Sequence, residues 1–276
     1  MSYFNKKTLN VIGIFGVPRS GTSWLGQIFN SSPNVAYRFQ PLFSNALKGR
    51  LSNNSSEEDI RAFYVDLLLT KDDFILQKKN VSNREGIIFL KKEITHLVWK
   101  EVRYHYVIEN VLENSTTKII GIIRHPCSVI WSWLNAPKEF KPEWDITSEW
   151  RFAGKKNLNK QEEYNGYEKW KELAFAFKDY GERFATQFTL IKYEDLNLNT
   201  EITIKKLFEF AGIEWQKQTE EFIATSKTTE SDDPYGVFRM NKINNDWMGK
   251  LPVKIENEIL NDPDFILLNK HYQWGI

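Results

Sequence analysis

The sequence predicts an α/β fold, a parallel sheet flanked by helices, with an irregular insertion around 136–164. Three observations predict it. Continuous apolar runs, VIGIF at 11–15 and KIIGII at 118–123, have the character of strands buried on both faces of a parallel sheet. Segments with apolar residues at helical spacing lie between such runs. A glycine-bearing loop joins the first run directly to the first helix, as βα units require.

The elements follow in order. After the strand at 11–15 and the loop, a helix is expected from 23 to about 30, closed by a turn at Pro33-Asn34. VAYRF at 35–39 reads as the second strand. A polar loop at 52–59 precedes Ile60, Phe63, Tyr64, Leu67 and Leu68, which recur at helical spacing. GIIFL at 86–90 reads as a third strand. Leu97, Val98, Val102, Tyr106 and Val111 predict a helix over 96–112. KIIGII is the fourth strand. The insertion at 136–164 sets Trp144, Trp150 and Phe152 among charges without a period, as a lid over a pocket or a surface loop would. A helix at 167–179, a strand at 188–191 and a helix at 200–212 stopped by Gly212 complete the pattern.

Composition bounds the function. Lysine plus arginine number 37 and aspartate plus glutamate 36, so no global field points to nucleic acid or a membrane surface. An anion site must therefore be a local concentration of charge. The single cysteine, Cys127, excludes an internal disulfide framework and a cysteine-rich zinc site, and suits a reducing compartment. No apolar run has the length that spans a bilayer. The expectation is a single domain over 1–276, cytoplasmic, with no membrane span; oligomeric state is not readable.

VIGIFGVPRSGTSWL at 11–25 carries the most information. Strand, glycine loop and helix start form a phosphate-binding loop, because the first turn of a helix offers free N–H groups at the positive end of its dipole. Gly16 and Gly21 stand at the Walker A spacing, followed by Thr22-Ser23. The lysine that a nucleoside triphosphatase needs is replaced by Thr22, and the positive charge is upstream, at Arg19. The anion cradle is kept while the cation has moved, so a different group is transferred. Ser20, Thr22 and Ser23 add hydroxyls, and Arg19 a permanently charged planar fork.

KIIGIIRHPCSVIWSWLN at 118–135 is a second anion constellation. Arg124 ends a buried strand, where ligands of open α/β sheets bind. Pro126 suits the first helical position, and Ser128 and Ser132, four apart, share one helix face. Arg124 and Ser132 can converge on one anion; a structural ion pair for Arg124 is the other reading.

Together these motifs resemble those of the sulfotransferases. PRSGTSWL is similar to their 5′-phosphosulfate loop, and RHPCSVIWS to their 3′-phosphate motif, with serine eight residues after the arginine. LIKYEDL at 190–196 and NDWMGKL at 245–251 resemble later elements of the family. The resemblance implies a P-loop-type fold and the donor 3′-phosphoadenosine 5′-phosphosulfate, with no metal. It implies that Arg19, Ser20, Gly21, Thr22 and Ser23 hold the 5′ phosphosulfate, and Arg124 and Ser132 the 3′ phosphate. By the same resemblance Trp24 stacks on adenine, although a core role fits its position equally. Tyr193 would help hold the base, and Arg239 or Lys242 would add a late cation to the 3′ phosphate.

The general base is where the sequence departs from the family. AYRFQPLF at 36–43 resembles the segment in which carbohydrate-type members place Glu-Pro-Leu, but here it reads Gln40-Pro41-Leu42, and an amide takes up no proton near neutrality. Lys92, Glu93 and His96 in FLKKEITH are the substitute candidates, with Glu93 first; a solvated helix start is the alternative. His105 is expected to be structural. The acceptor is expected to be a small molecule or glycan, leaning to a sugar hydroxyl, with Trp144 and Trp150 compatible with sugar stacking and equally with a lipid or phenol. Two rival readings are a P-loop kinase using ATP and Mg²⁺ and a non-catalytic nucleotide-binding protein.

Overall fold

A computed structural model describes residues 9–78, 88–229, 236–238 and 245–274. Five strands form one sheet, β1 (Asn10–Phe15), β2 (Val35–Phe39), β3 (His96–Glu101), β4 (Lys118–Ile123) and β5 (Phe188–Lys192), in the order β2-β3-β1-β4-β5. Every pairing is parallel. The twelve helices among the described residues are α1 (Thr22–Ser31), α2 (Glu57–Leu69), α3 (Ile108–Asn114), α4 (Pro126–Leu134), α5 (Ile146–Phe152), α6 (Gly154–Asn157), α7 (Tyr167–Arg183), α8 (Tyr193–Leu198), α9 (Thr200–Ala211), α10 (Lys217–Thr228), α11 (Val253–Leu260) and α12 (Pro263–Tyr272).

Strand alternation divides the interior into two cores, one on each face of the sheet. Ile12, Ile14, Val98, Ile120 and Ile122 meet Trp24, Leu25, Ile28 and Phe29 of α1 and residues of α9 and α10. On the opposite face Phe15, Leu97, Trp99, Ile119 and Ile123 meet α2, α3, α4, α7, α11 and α12. The helix after β1 and the helix after β4 thus lie on opposite faces, and the chain leaves neighbouring strands in opposite directions. The crevice at the carboxyl ends of β1 and β4 is the switch point where ligands of such sheets bind.

Two elements differ from the sequence expectation. Residues 86–87 lie outside the described residues and 88–90 form no strand. The strand beside β1 is instead 96–101, within the stretch expected to be helical. All six of its residues are buried and it is paired on both edges. A strand covered on both faces has no period of its own, so HLVW with Val102, Tyr106 and Val111 imitated helical spacing. Helix resumes only after the strand, in a 3₁₀ turn at His105–Val107 that runs into α3. The insertion at 136–164 is not wholly irregular either, since it holds α5 and α6, and Trp150 is buried in the core. Among the described residues no helix is long and apolar enough to cross a membrane.

Candidate active site

The loop after β1 is shaped by two close approaches. A Cβ on Gly16 would meet the Ile122 carbonyl oxygen at 2.5 Å, so this glycine lets β1 leave the sheet hard against β4. Gly21 stands before α1 at φ 96°, where no side chain caps the helix and its first turn holds no acidic residue. Arg19 has a left-handed backbone, φ 74°, an uncommon conformation for a residue with a side chain and one that clusters at ligand-gripping loops.

The two anion motifs meet. Arg19 Nε donates to Ser132 Oγ at 3.0 Å, and Arg124 Nη1 donates to the Arg19 carbonyl at 3.3 Å. Ser132, expected beside Arg124, is thus engaged by the loop arginine, and the two arginines share one rim. The Arg124 guanidinium lies over the Tyr193 ring, 4.5 Å from its centroid, and Nη2 is 3.6 Å from Asp246 Oδ1. A Cβ on Gly21 would land in that same Tyr193 ring. Ser20 Oγ and Arg124 Nε are buried without hydrogen-bond partners. Orphaned donors beside an uncapped helix suit an anionic phosphate or sulfate.

Other site residues fall elsewhere. Thr22 is buried and Ser23 half-buried at the helix start, while Ser128 is buried inside α4. Trp24 is fully buried, gives its indole N–H to Ser226 Oγ at 3.1 Å and meets Tyr193 edge-on. The core role therefore prevails over stacking on adenine. Arg239 and Lys242 lie outside the described residues.

Lys92, Glu93 and His96 are a correction. His96 pairs in register with Asn10 and Val35, the first residues of β1 and β2. Five further residues of strand, at about 3.3 Å each, separate it from the carboxyl rim. Lys92 N–H and the Glu93 carbonyl bond the Pro33–Asn34 turn at that far end. No general base can act across the sheet.

The carboxyl end of β3 supplies different residues. Lys100, only 1% exposed, brings Nζ to 3.4 Å from Ser23 Oγ and 4.4 Å from the Phe39 ring centroid. It delivers from the neighbouring strand the ammonium that the Walker position lacks. Glu101 is fully buried; Oε1 accepts the Leu42 N–H at 2.8 Å, Oε2 is unpartnered, and burial pushes its carboxyl up to about 8. Its role is to fasten the Pro41–Phe43 turn. Gln40, also left-handed at φ 41°, takes Arg103 Nη1 on Oε1 at 3.1 Å, and Arg103 Nε donates to Glu163 at 2.9 Å. Phe39, Phe74 and Phe43 form an aromatic rim there, with Arg103 stacked on Phe43 at 4.3 Å. From the insertion, Glu139 Oε1 comes within 3.9 Å of Arg19 Nη1. His105 is buried and held neutral, its imidazolium pushed down to about 3 by burial, in keeping with a structural role. The signal that could have found Lys100 was available, since a buried apolar run that ends in Lys-Glu places charge at a strand terminus. Among the described residues no His, Cys, Asp and Glu cluster has the makings of a metal site.

Parallel sheet, glycine loop and paired arginines at the switch point define a nucleotide-binding α/β transferase of the P-loop type. The sequence matches the sulfotransferase domain family over residues 10–245, and the chain belongs to that family. No curated protein sequence matches it. Among solved structures it resembles the mouse sulfotransferase SULT7A1 complexed with PAP, at 15% identity and TM-score 0.54, covering 97% of this chain and 86% of the other. A sulfotransferase from Alicyclobacillus acidocaldarius is similar at 13% identity and TM-score 0.52, covering 98% of each chain. At these identities the likeness establishes the fold.

Proposed function

We propose that the protein moves the sulfuryl group of 3′-phosphoadenosine 5′-phosphosulfate to a hydroxyl or amine of a small acceptor. The observation that carries this reading is the junction at the switch point, where the Arg19 fork bonds Ser132 Oγ and the Arg124 fork bonds the Arg19 backbone carbonyl. A nucleotide phosphorylated at two places needs two such grips. The acceptor oxygen or nitrogen attacks sulfur, the bond from sulfur to the bridging phosphate oxygen breaks, and 3′-phosphoadenosine 5′-phosphate leaves. Arg19, Lys100 and the first-turn N–H groups face the oxygen on which charge develops. The mouse neighbour was solved with PAP, the product this reading implies.

Stabilisation by ligand tests it. 3′-Phosphoadenosine 5′-phosphate in EDTA is expected to raise the Tm in proportion to the logarithm of its concentration, and ATP with Mg²⁺ to leave it unchanged. Stabilisation by ATP-Mg²⁺ alone would return the protein to the kinases.

The acceptor is read from the rim. Phe43 and Phe74, 42% and 37% exposed, offer ring faces beside the Gln40 amide and the Arg103 guanidinium. Flat apolar faces with flanking donors and acceptors suit a sugar ring and its hydroxyls. Glu139, whose Oε2 is buried without a partner, takes the place of Glu93 as proton acceptor. Glu139→Gln is expected to cut turnover by about 10²-fold, the scale of a general base, while Glu93→Gln leaves kcat within about twofold; the reverse result would restore Glu93.

A further inference from the structure

The sequence motif at 190–196 places a glutamate, Glu194, next to the tyrosine that carries Arg124, and the structure puts both of its carboxylate oxygens to use. Oε1 accepts the backbone N–H of His125 at 2.9 Å, and Oε2 accepts the indole N–H of Trp274 at 3.2 Å. His125 follows Arg124 directly and is the N-cap of α4. One carboxylate thereby joins the 3′-phosphate motif, 69 positions before it, to Trp274, 80 positions after it.

Trp274 is itself seated with care. Its backbone N–H bonds Asn269 Oδ1 at 3.0 Å, and the Gln273 carbonyl accepts from Lys192 Nζ at 3.2 Å, tying the end of α12 to the end of β5. Its ring packs on Phe265, Tyr272 and Trp170 and meets the His125 ring edge-on. The other face of His125 is stacked flat on Trp247, 5.0 Å between centroids and 4° between planes. Trp170 gives its indole N–H to the Arg124 carbonyl at 3.0 Å. The peptide group that follows Arg124 is therefore held at both its ends, the carbonyl directly by Trp170 and the N–H through Glu194 by Trp274.

We propose that Glu194 and Trp274 are positioning residues for the donor's 3′ phosphate: together they set the backbone at His125 and so the angle at which Arg124 reaches across Tyr193. The proposal rests on the reading of the donor as a 3′,5′-bisphosphorylated nucleotide. An indole N–H on a carboxylate makes Trp274 part of the grip on a phosphate it does not touch.

The experiment compares two probes on the full chain, 3′-phosphoadenosine 5′-phosphate and adenosine 5′-phosphate, which lacks only the 3′ group. Trp274→Phe keeps the ring and removes the N–H; Glu194→Gln keeps the shape and replaces one acceptor by a donor. For both variants the Kd of the bisphosphate is expected to rise about tenfold, the scale of one lost hydrogen bond to a carboxylate. The Kd of adenosine 5′-phosphate should stay within about twofold, so the preference for the 3′ phosphate collapses. A general loosening of the fold would weaken both probes equally, and that outcome, or an unchanged preference, overturns the positioning role. If the wild-type protein itself shows no preference for the bisphosphate, the donor reading fails first and the proposal falls with it.

Discussion

Replacing Arg19 with alanine is expected to lower the rate of sulfuryl transfer by about 10²–10³-fold, the usual effect of removing one preorganised group from a developing charge. The loop places this guanidinium between two partners, Ser132 Oγ on Nε and Glu139 beside Nη1, while the backbone carbonyl of Arg19 accepts from Arg124. A side chain held from both sides needs no reorganisation when charge forms on the bridging oxygen. Release of 3′-phosphoadenosine 5′-phosphate from labelled donor, with the best acceptor from a sugar and phenol panel, measures the rate. The Kd of the bisphosphate product should move much less than kcat, because Arg124 and the helix start still hold it. Arg19→Lys is expected to recover only part of the loss, since an ammonium lacks the fork that bonds Ser132 and faces Glu139 together. Equal losses in kcat and binding would assign Arg19 to nucleotide grip alone.

The glycine loop after β1 and the strand end at Arg124 were legible in the sequence because backbone chemistry writes them locally. Gly16, Gly21 and the Arg-Ser-Gly-Thr-Ser run are consecutive, and their spacing alone implies a strand, a tight loop and a helix start. Arg124 and Pro126 carry the same kind of local signal, a strand end followed by a helix start, and β4 ends and α4 begins where it says. The acceptor side was not legible, and the reason is a single strand. Reading 96–112 as a helix moved the third strand to 86–90 and carried Lys92, Glu93 and His96 to a rim they do not occupy. A strand paired on both edges and buried on both faces has no alternation to betray it, so β3 was visible only as an apolar run ending in Lys100-Glu101. Long-range partners such as Glu194 with Trp274, or Arg103 with Gln40, leave no trace in spacing at all.

Two glycines with the same backbone hand separate strain from function. Gly49 has φ 71° with no atom within 4 Å of an added Cβ, whereas Gly21 has φ 96° and the Tyr193 ring in the way. Alanine at either position costs roughly 1–2 kcal/mol for the left-handed conformation, which for a chain of this size lowers the Tm by a few degrees, about 2–4 °C per kcal/mol. Only Gly21→Ala must also displace Tyr193. That ring bears the Arg124 guanidinium and abuts Trp24, so its movement carries Arg124 away from the loop after β1. Gly21→Ala is therefore expected to weaken 3′-phosphoadenosine 5′-phosphate by well over tenfold and to reduce turnover with it, while Gly49→Ala loses only the Tm that the left-handed conformation costs and binds like the wild type. Calorimetric titration of both variants against the bisphosphate decides the matter. If Gly21→Ala keeps wild-type affinity, the Tyr193 ring is no part of the donor site, and the meeting of the two arginines on one rim loses its physical cause.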